Sequence, residues 1–361
     1  MAIRLKDIAR ELDVSVITVS KALRGNTDIS EATRHRVLTR MKELDYQPNM
    51  AARSLATGHS HILGLIVPDL VHPFFAELAK SLGGVLRRES RGLILASSEE
   101  DPAIEQSEIR MMLARGVDAL LIASCQPDLG GFYSAHNQKT PYVLVDRAFP
   151  HLRASFVGTD DYAGGILATE HLITLGRKRL AHIGGPDLSP AVDRMRGFRD
   201  ASRRHGVYVP EKFILSSLRV EESGDDTGYA MMQRLLQSKP VPDGVFCYND
   251  ITAIGAMQAT LDAGLRIPGD VAFVGFGNVR YSNYFRIPLT SIDQSTVLLG
   301  QMAAQLALDL ASKKQVEPRC IRLRPKLVIR ESSGNGERLS RSTQGSKRAA
   351  DARKPLRRRA L

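Results

Sequence analysis

The sequence predicts a small all-α domain followed by an α/β body made of two doubly wound parallel-sheet subdomains. Three observations carry this reading. Apolar residues recur at helical spacing up to about residue 47, continuous apolar runs alternate with amphipathic stretches from His61 onward, and charge is unevenly spread. Of the net +11 over 361 residues, residues 1–60 carry +3, residues 61–331 only +1 and residues 332–361 +7. A near-neutral body between two basic ends points to an anionic partner met by those ends. For the last thirty residues, a solvated tail without a partner fits equally well.

Residues 1–47 read as three short helices. "LKDIAREL" places Leu5, Ile8, Ala9 and Leu12 on one face, and "EATRHRVLTRMKEL" does the same with Val37, Met41 and Leu44. Ser30 is a suitable N-cap for the third helix, and Pro48 disfavours helix at Gln47 and so ends it. Between them, "DVSVITVSKALRG" reads as a turn at Asp13 and Val14 followed by a helix capped by Ser15. Helix, tight turn and helix within about twenty residues form a helix-turn-helix. Val19, Ala22 and Leu23 face the first helix, whereas Val16, Ile17, Ser20 and Lys21 lie elsewhere around the second. Exposed apolar groups there suit thymine methyls in a major groove, and Lys21 suits a guanine edge or a phosphate. The same residues also fit a small helical subdomain that binds nothing. "NMAARSLATG" follows as a short helix in a linker over residues 48–60. Its Leu55 fits either packing on the body or a wedge into a minor groove, with Arg53 beside it on phosphate or groove edge.

From His61 the runs "ILGLIVPD", "LILASS", "ALLIAS", "YVLVD", "LAHIGG", "GVFCYND" and "VAFVGFG" read as strands, several of them separated by helices. Continuous apolar strands alternating with helices indicate parallel sheets covered on both faces. Residues 61–331 exceed one ordinary sheet, so they divide into two halves with a cleft between them. Residues 332–361 are rich in Ser, Gly, Lys and Arg and read as a disordered basic tail.

Taken in order, these segments resemble the lactose-repressor (LacI/GalR) family of bacterial transcription regulators. "DIARELDVSVITVSKALRG", "YQPNMAARSLATG" and "LGLIVPDLVHPFFAEL" carry the resemblance, with "RMRGF", "VFCYNDITAIGAM" and "IPGDVAFVGFGN" further on. It spans residues 3–331 and implies a periplasmic-binding-protein-like body. That body has an N-subdomain of about 61–161 and 293–324 and a C-subdomain of about 162–292 and 325–331. It further implies a homodimer on a palindromic double-stranded DNA operator, controlled by a small-molecule, carbohydrate-like effector in the cleft. By resemblance Val16, Ile17 and Lys21 read bases, Ser15, Thr18, Ser20, Tyr46 and Asn49 touch the DNA backbone, and Leu55 wedges. Phe74, Phe75, Asp146, Arg194 and Asn249 match effector contacts. Asp146 and Asn249 also fit plain caps, and Phe74 fits the core.

The chain departs from the family pattern at four places. Gly277 stands where an acidic ligand-gripping residue is usual, which should enlarge the pocket, and a family-like regulator with lost or altered effector control is the alternative reading. Asp161 replaces a common Asn, Arg4 replaces a capping Thr, and the tail carries no leucine heptad. Catalysis is not expected, since no phosphate loop, GxSxG or HExxH occurs and "GFGNVR" lacks a third glycine. No metal site and no cofactor are expected. Cys125, Cys247 and Cys320 are isolated, no run approaches the ~18 apolar residues of a membrane span, and no secretory leader opens the sequence. A cytoplasmic, nucleoid-associated protein is therefore expected, and not a transport-type binding protein.

Overall fold

A computed structural model describes residues 3–23, 25–46, 54, 58–127, 140–149, 152–217, 224–312 and 317–334. The chain divides between Ser60 and His61 into two compact units. In the first, helices α1 (Leu5–Glu11), α2 (Val16–Leu23) and α3 (Glu31–Glu43) enclose Ile8, Ala9, Val19, Ala22, Val37 and Met41. Asp13 takes a left-handed conformation in the turn before α2. Arg4 offers no capping oxygen, but its backbone N–H donates to Asp7 Oδ2 at 3.0 Å, so the α1 N-terminus is still served by a carboxylate.

In the second unit, two six-stranded sheets follow the alternation of apolar runs. The first holds β1 (Ile62–Val67), β2 (Gly92–Ser97), β3 (Ala119–Ile122), β4 (Tyr142–Val145), β5 (Ser155–Thr159) and β11 (Cys320–Leu323). Its spatial order is β11-β5-β4-β3-β1-β2, parallel throughout. Helices α4 (Pro73–Arg88) and α10 (Thr296–Ala311) contribute to the core on one face, and α5 (Pro102–Ala114) to the core on the other. The second sheet holds β6 (Leu180–Gly184), β7 (Ile214–Ser216), β8 (Gly244–Cys247), β9 (Ala272–Phe276), β10 (Thr290–Asp293) and β12 (Lys326–Val328). Its order is β12-β10-β9-β8-β6-β7, with only β12 antiparallel. Helices α6 (Asp161–Thr174) and α7 (Ser189–Arg204) cover one face, and α8 (Gly224–Leu236) and α9 (Asp250–Asp262) the other. The chain crosses between the halves three times, after β5, β10 and β11.

Each helix pair on the second sheet crosses at glycine. A Cβ on Gly197 would lie 2.3 Å from the Tyr162 carbonyl oxygen, and one on Gly255 would lie 1.7 Å from that of Asp225. These contacts let α7 approach α6, and α9 approach α8, more closely than any side chain allows. In the core of the same half, His182 stacks between Phe198 and Phe246, with ring centroids 5.3 and 4.9 Å away. Its Nδ1–H donates to the Phe246 carbonyl at 2.9 Å. Burial pushes the imidazole down to about 4, so it is neutral at physiological pH.

Two expectations need correction. Ser332 and Ser333, expected at the head of the tail, are buried in a 3-10 turn spanning Glu331–Ser333. Ser332 Oγ donates to the Phe273 carbonyl at 2.8 Å, and Ser333 Oγ lies 2.7 Å from Thr290 Oγ1, so the body extends through this turn. Leu23, expected in the core of the first unit, is 37% exposed. It is the last residue of α2, and the helix buries its other face through Val19 and Ala22.

Candidate functional site

The exposed face of α2 takes its form from its cap and its core face. Thr18 N–H donates to Ser15 Oγ at 3.0 Å, and the two hydroxyls lie 2.8 Å apart. With Val19 and Ala22 buried, Val16 is 44% and Ile17 67% exposed. Ser15 is exposed, and Thr18, Ser20 and Lys21 are half-buried. Lys21 Nζ donates to Asp28 Oδ2 at 2.5 Å, a partner the sequence reading missed. Tyr46 packs half-buried against the helical core. Asn49, Arg53 and Leu55 lie outside the described residues.

In the body, all five expected effector residues line one cavity of about 310 Å³ between the two halves. It sits at the carboxyl ends of the strands, where such folds place ligands. Phe74 and Phe75 open α4, and both belong to the core while also lining the cavity, their rings 5.0 Å apart and edge-to-face. Asp146 follows β4 with φ +64°, a conformation that costs a non-glycine residue energy. Its carboxyl is pushed up by burial, and by Glu100, against the pull of Arg194 and Arg147. Asn249 caps α9, its Oδ1 accepting from Thr252 N–H at 2.8 Å. The cap and the cavity wall are therefore one residue.

Arg194 is buried. Its Nε and Nη2 reach Asp161 Oδ1 at 2.8 and 2.7 Å, and Nη1 donates to the Tyr248 carbonyl at 2.8 Å. The guanidinium lies 3.6 Å from the Phe276 ring centroid and 4.8 Å from that of Tyr248. Burial pushes the Asp161 carboxyl up, and Arg194 pulls it down. Burial likewise opposes the Arg194 charge, which Asp161 sustains. A guanidinium keeps its proton, and two of its donors converge on one oxygen, so the pair is ionised.

Several cavity residues were not anticipated. Arg147 forms a fork on Glu100 at 2.7 and 2.5 Å. Burial opposes its charge, but Glu100 holds it above the ordinary arginine value. His72, Tyr248, Phe276 and Gln294 also line the cavity. Their signal was adjacency, because His72 precedes Pro73, Arg147 follows Asp146 and Tyr248 precedes Asn249. Gly277, expected to enlarge this pocket, instead lines a neighbouring cavity with Asn278 and Asp293. Its φ of +127° suits glycine, so a carboxylate side chain there would strain the loop.

A helix-turn-helix unit joined to a two-half body with a polar, aromatic-walled cleft defines a ligand-responsive DNA-binding transcription regulator. Residues 4–49 match the description "Bacterial regulatory proteins, lacI family", and residues 169–333 match "Periplasmic binding protein-like domain". The chain is 32% identical to the HTH-type transcriptional repressor PurR of Klebsiella pneumoniae (strain 342), over 92% of this chain and 97% of that protein. It is equally identical, at 32%, to a ribose operon repressor of Halalkalibacterium halodurans, over 92% and 98%. Among solved structures, it matches a transcriptional regulator CelR–cellobiose complex at 30% identity and TM-score 0.70, over 92% of this chain and 100% of that one. The lac repressor dimer bound to operator, at 24% identity, shares the fold with TM-score 0.82 over 92% and 99%. The chain belongs to the lacI family of bacterial regulatory proteins.

Proposed function

We propose that the chain is a cytoplasmic, homodimeric repressor that binds a palindromic operator and is controlled by a small carbohydrate-like effector in the interdomain cavity. Val16, Ile17 and Lys21 read bases, with Ser15, Thr18, Ser20, Tyr46 and Asn49 on the backbone. Arg53 and the Leu55 wedge act from the linker. Phe74, Phe75, Asp146, Arg194 and Asn249 hold the effector. The observation that carries the DNA reading is the exposure of Val16 and Ile17 on a helix whose opposite face already supplies the core. The repressor names of the relatives and the cellobiose of the CelR complex support the remainder. Selection of bound DNA from a random pool by the full chain tests it. A palindromic site should emerge, and Ile17→Ala should relax base preference by about 1–3 kcal/mol at one position of each half-site. Failure to enrich any sequence would defeat the proposal. Gly277, standing where the family usually has an acidic residue, favours a second reading, in which effector control is lost or altered. That reading predicts operator affinity unchanged by any sugar tested.

A further inference from the structure

One contact that bridges the two halves at the cavity joins His72 and Asn249, with Asn249 Nδ2 3.3 Å from His72 Nε2. Neither group is free to choose its role. Asn249 Oδ1 is occupied by the Thr252 N–H of the α9 cap, which turns Nδ2, a pure donor, toward His72. On the imidazole, Nδ1 accepts from the Phe74 N–H at 3.3 Å in the α4 cap. A neutral imidazole that accepts at Nδ1 carries its proton at Nε2. Burial, with Arg147 and Arg194 nearby, pushes His72 down to about 4 against the opposing pull of Asp69, so the neutral ring is the relevant form. Two N–H donors, one from each half, therefore lie 3.3 Å apart, beside a position from which a single acceptor would serve both. An oxygen about 2.9 Å from each nitrogen fits that spacing.

The charge of the cavity narrows what that oxygen belongs to. Four carboxylates line it (Asp69, Glu100, Asp146 and Asp225) against the guanidiniums of Arg147 and Arg194. Arg147 is already forked onto Glu100, and Arg194 is already paired from behind by Asp161. An anionic ligand would enter a net-negative site in which both cations are neutralised. A neutral one meets two donors and, in Asp146, a buried carboxyl acceptor on the cavity wall.

We propose that His72 and Asn249 form a two-donor seat for one hydroxyl or carbonyl oxygen of an uncharged ligand, and that His72 thereby sets ligand specificity. This rests on reading the cavity as the effector site. It makes His72 a ligand-binding residue in addition to the cap of α4. Bound ligand would replace a donor-to-donor contact by two hydrogen bonds joining the halves.

Side-chain NMR of the full chain labelled with ¹⁵N-histidine, with His72 assigned through His72→Asn, tests the seat without any ligand. At pH 7.5 the Nε2–H tautomer is expected, and an Nδ1–H tautomer or an imidazolium would overturn the proposal. Thermal shift with D-ribose, adenosine and cellobiose, and with ribose 5-phosphate and adenosine monophosphate, tests the class. A neutral probe should raise the melting midpoint and its phosphate should not. A phosphate that binds more tightly than its neutral parent would overturn the exclusion of anions. His72→Ser retains a cap acceptor for Phe74 but loses the Nε2–H donor, so it should leave the ligand-free midpoint in place while weakening the neutral probe about tenfold. Unchanged affinity would refute the role of His72. Silence from every probe counts against the effector reading itself, while the tautomer still decides the seat.

Discussion

Asp161→Asn removes one charge from a buried pair and leaves Arg194 beneath the cavity with its guanidinium still ionised. The two charges sit about 4 Å apart between centres, which at an effective dielectric near 20 corresponds to roughly 4 kcal/mol. An asparagine oxygen can still accept one bond from Arg194, returning about 1 kcal/mol. The net loss should be about 3 kcal/mol, at the lower end of what breaking a buried pair costs. Asp161 also stands in the first turn of α6, where a negative charge is favoured, so the substitution gains nothing there. Because the chain contains no tryptophan, urea unfolding is best followed by far-UV circular dichroism. The double variant Asp161→Asn/Arg194→Met removes both charges and should recover much of the stability. A loss below about 1 kcal/mol in the single variant would show that Asp146, and not Asp161, balances Arg194.

Three further outcomes follow from other parts of the molecule. His182 titrates near 4 when folded and near 6.5 when unfolded, so the unfolded chain binds the extra proton between those values. Stability should therefore fall by up to about 3 kcal/mol as pH drops from 6.5 to 4, and His182→Leu should flatten that slope in urea titrations, with a part due to His72 remaining. Asp28→Asn releases Lys21 and removes a carboxylate from beside it. Nonspecific DNA affinity should rise, and the salt slope should steepen by about one counterion, whereas weaker binding would place Lys21 away from DNA. Gly255→Ala drives a methyl into the Asp225 carbonyl and should cost at least 2–3 kcal/mol by calorimetry. Gly84→Ala, whose nearest neighbour would be Arg87 Nη2 at 3.9 Å, should be neutral or stabilising.

The two-sheet body was legible because β1, β3, β4, β6, β8 and β9 are short apolar runs with both faces covered. The strands that escaped notice are β5, where Ser155, Gly158 and Thr159 dilute the pattern, β7 and β12 of three residues each, β10 and the partly exposed β11. Half of an edge strand faces water, so its sequence need not be apolar. At the site, Asp146 and Asn249 were readable as polar residues ending apolar runs. Arg147 and Glu100 were not, because they meet from different strand ends, 47 positions apart. Phe276 looked like strand core within "VAFVGFG", although its ring supports Arg194. The departure at Asp161 acquired a meaning only in three dimensions, as the counter-charge to Arg194. That at Gly277 acquired one through a backbone torsion that no spacing rule encodes.

The three crossings between the halves set where the two basic ends of the chain are mounted. His61 leads into β1 of the first half, whereas Gly334 closes the turn that Ser332 and Ser333 anchor to β9 and β10 of the second. Both N–H groups of the His72–Asn249 contact likewise come one from each half. Any change in the angle between the halves would therefore change the separation of His61 and Gly334, the points at which the two basic ends of the sequence join the body.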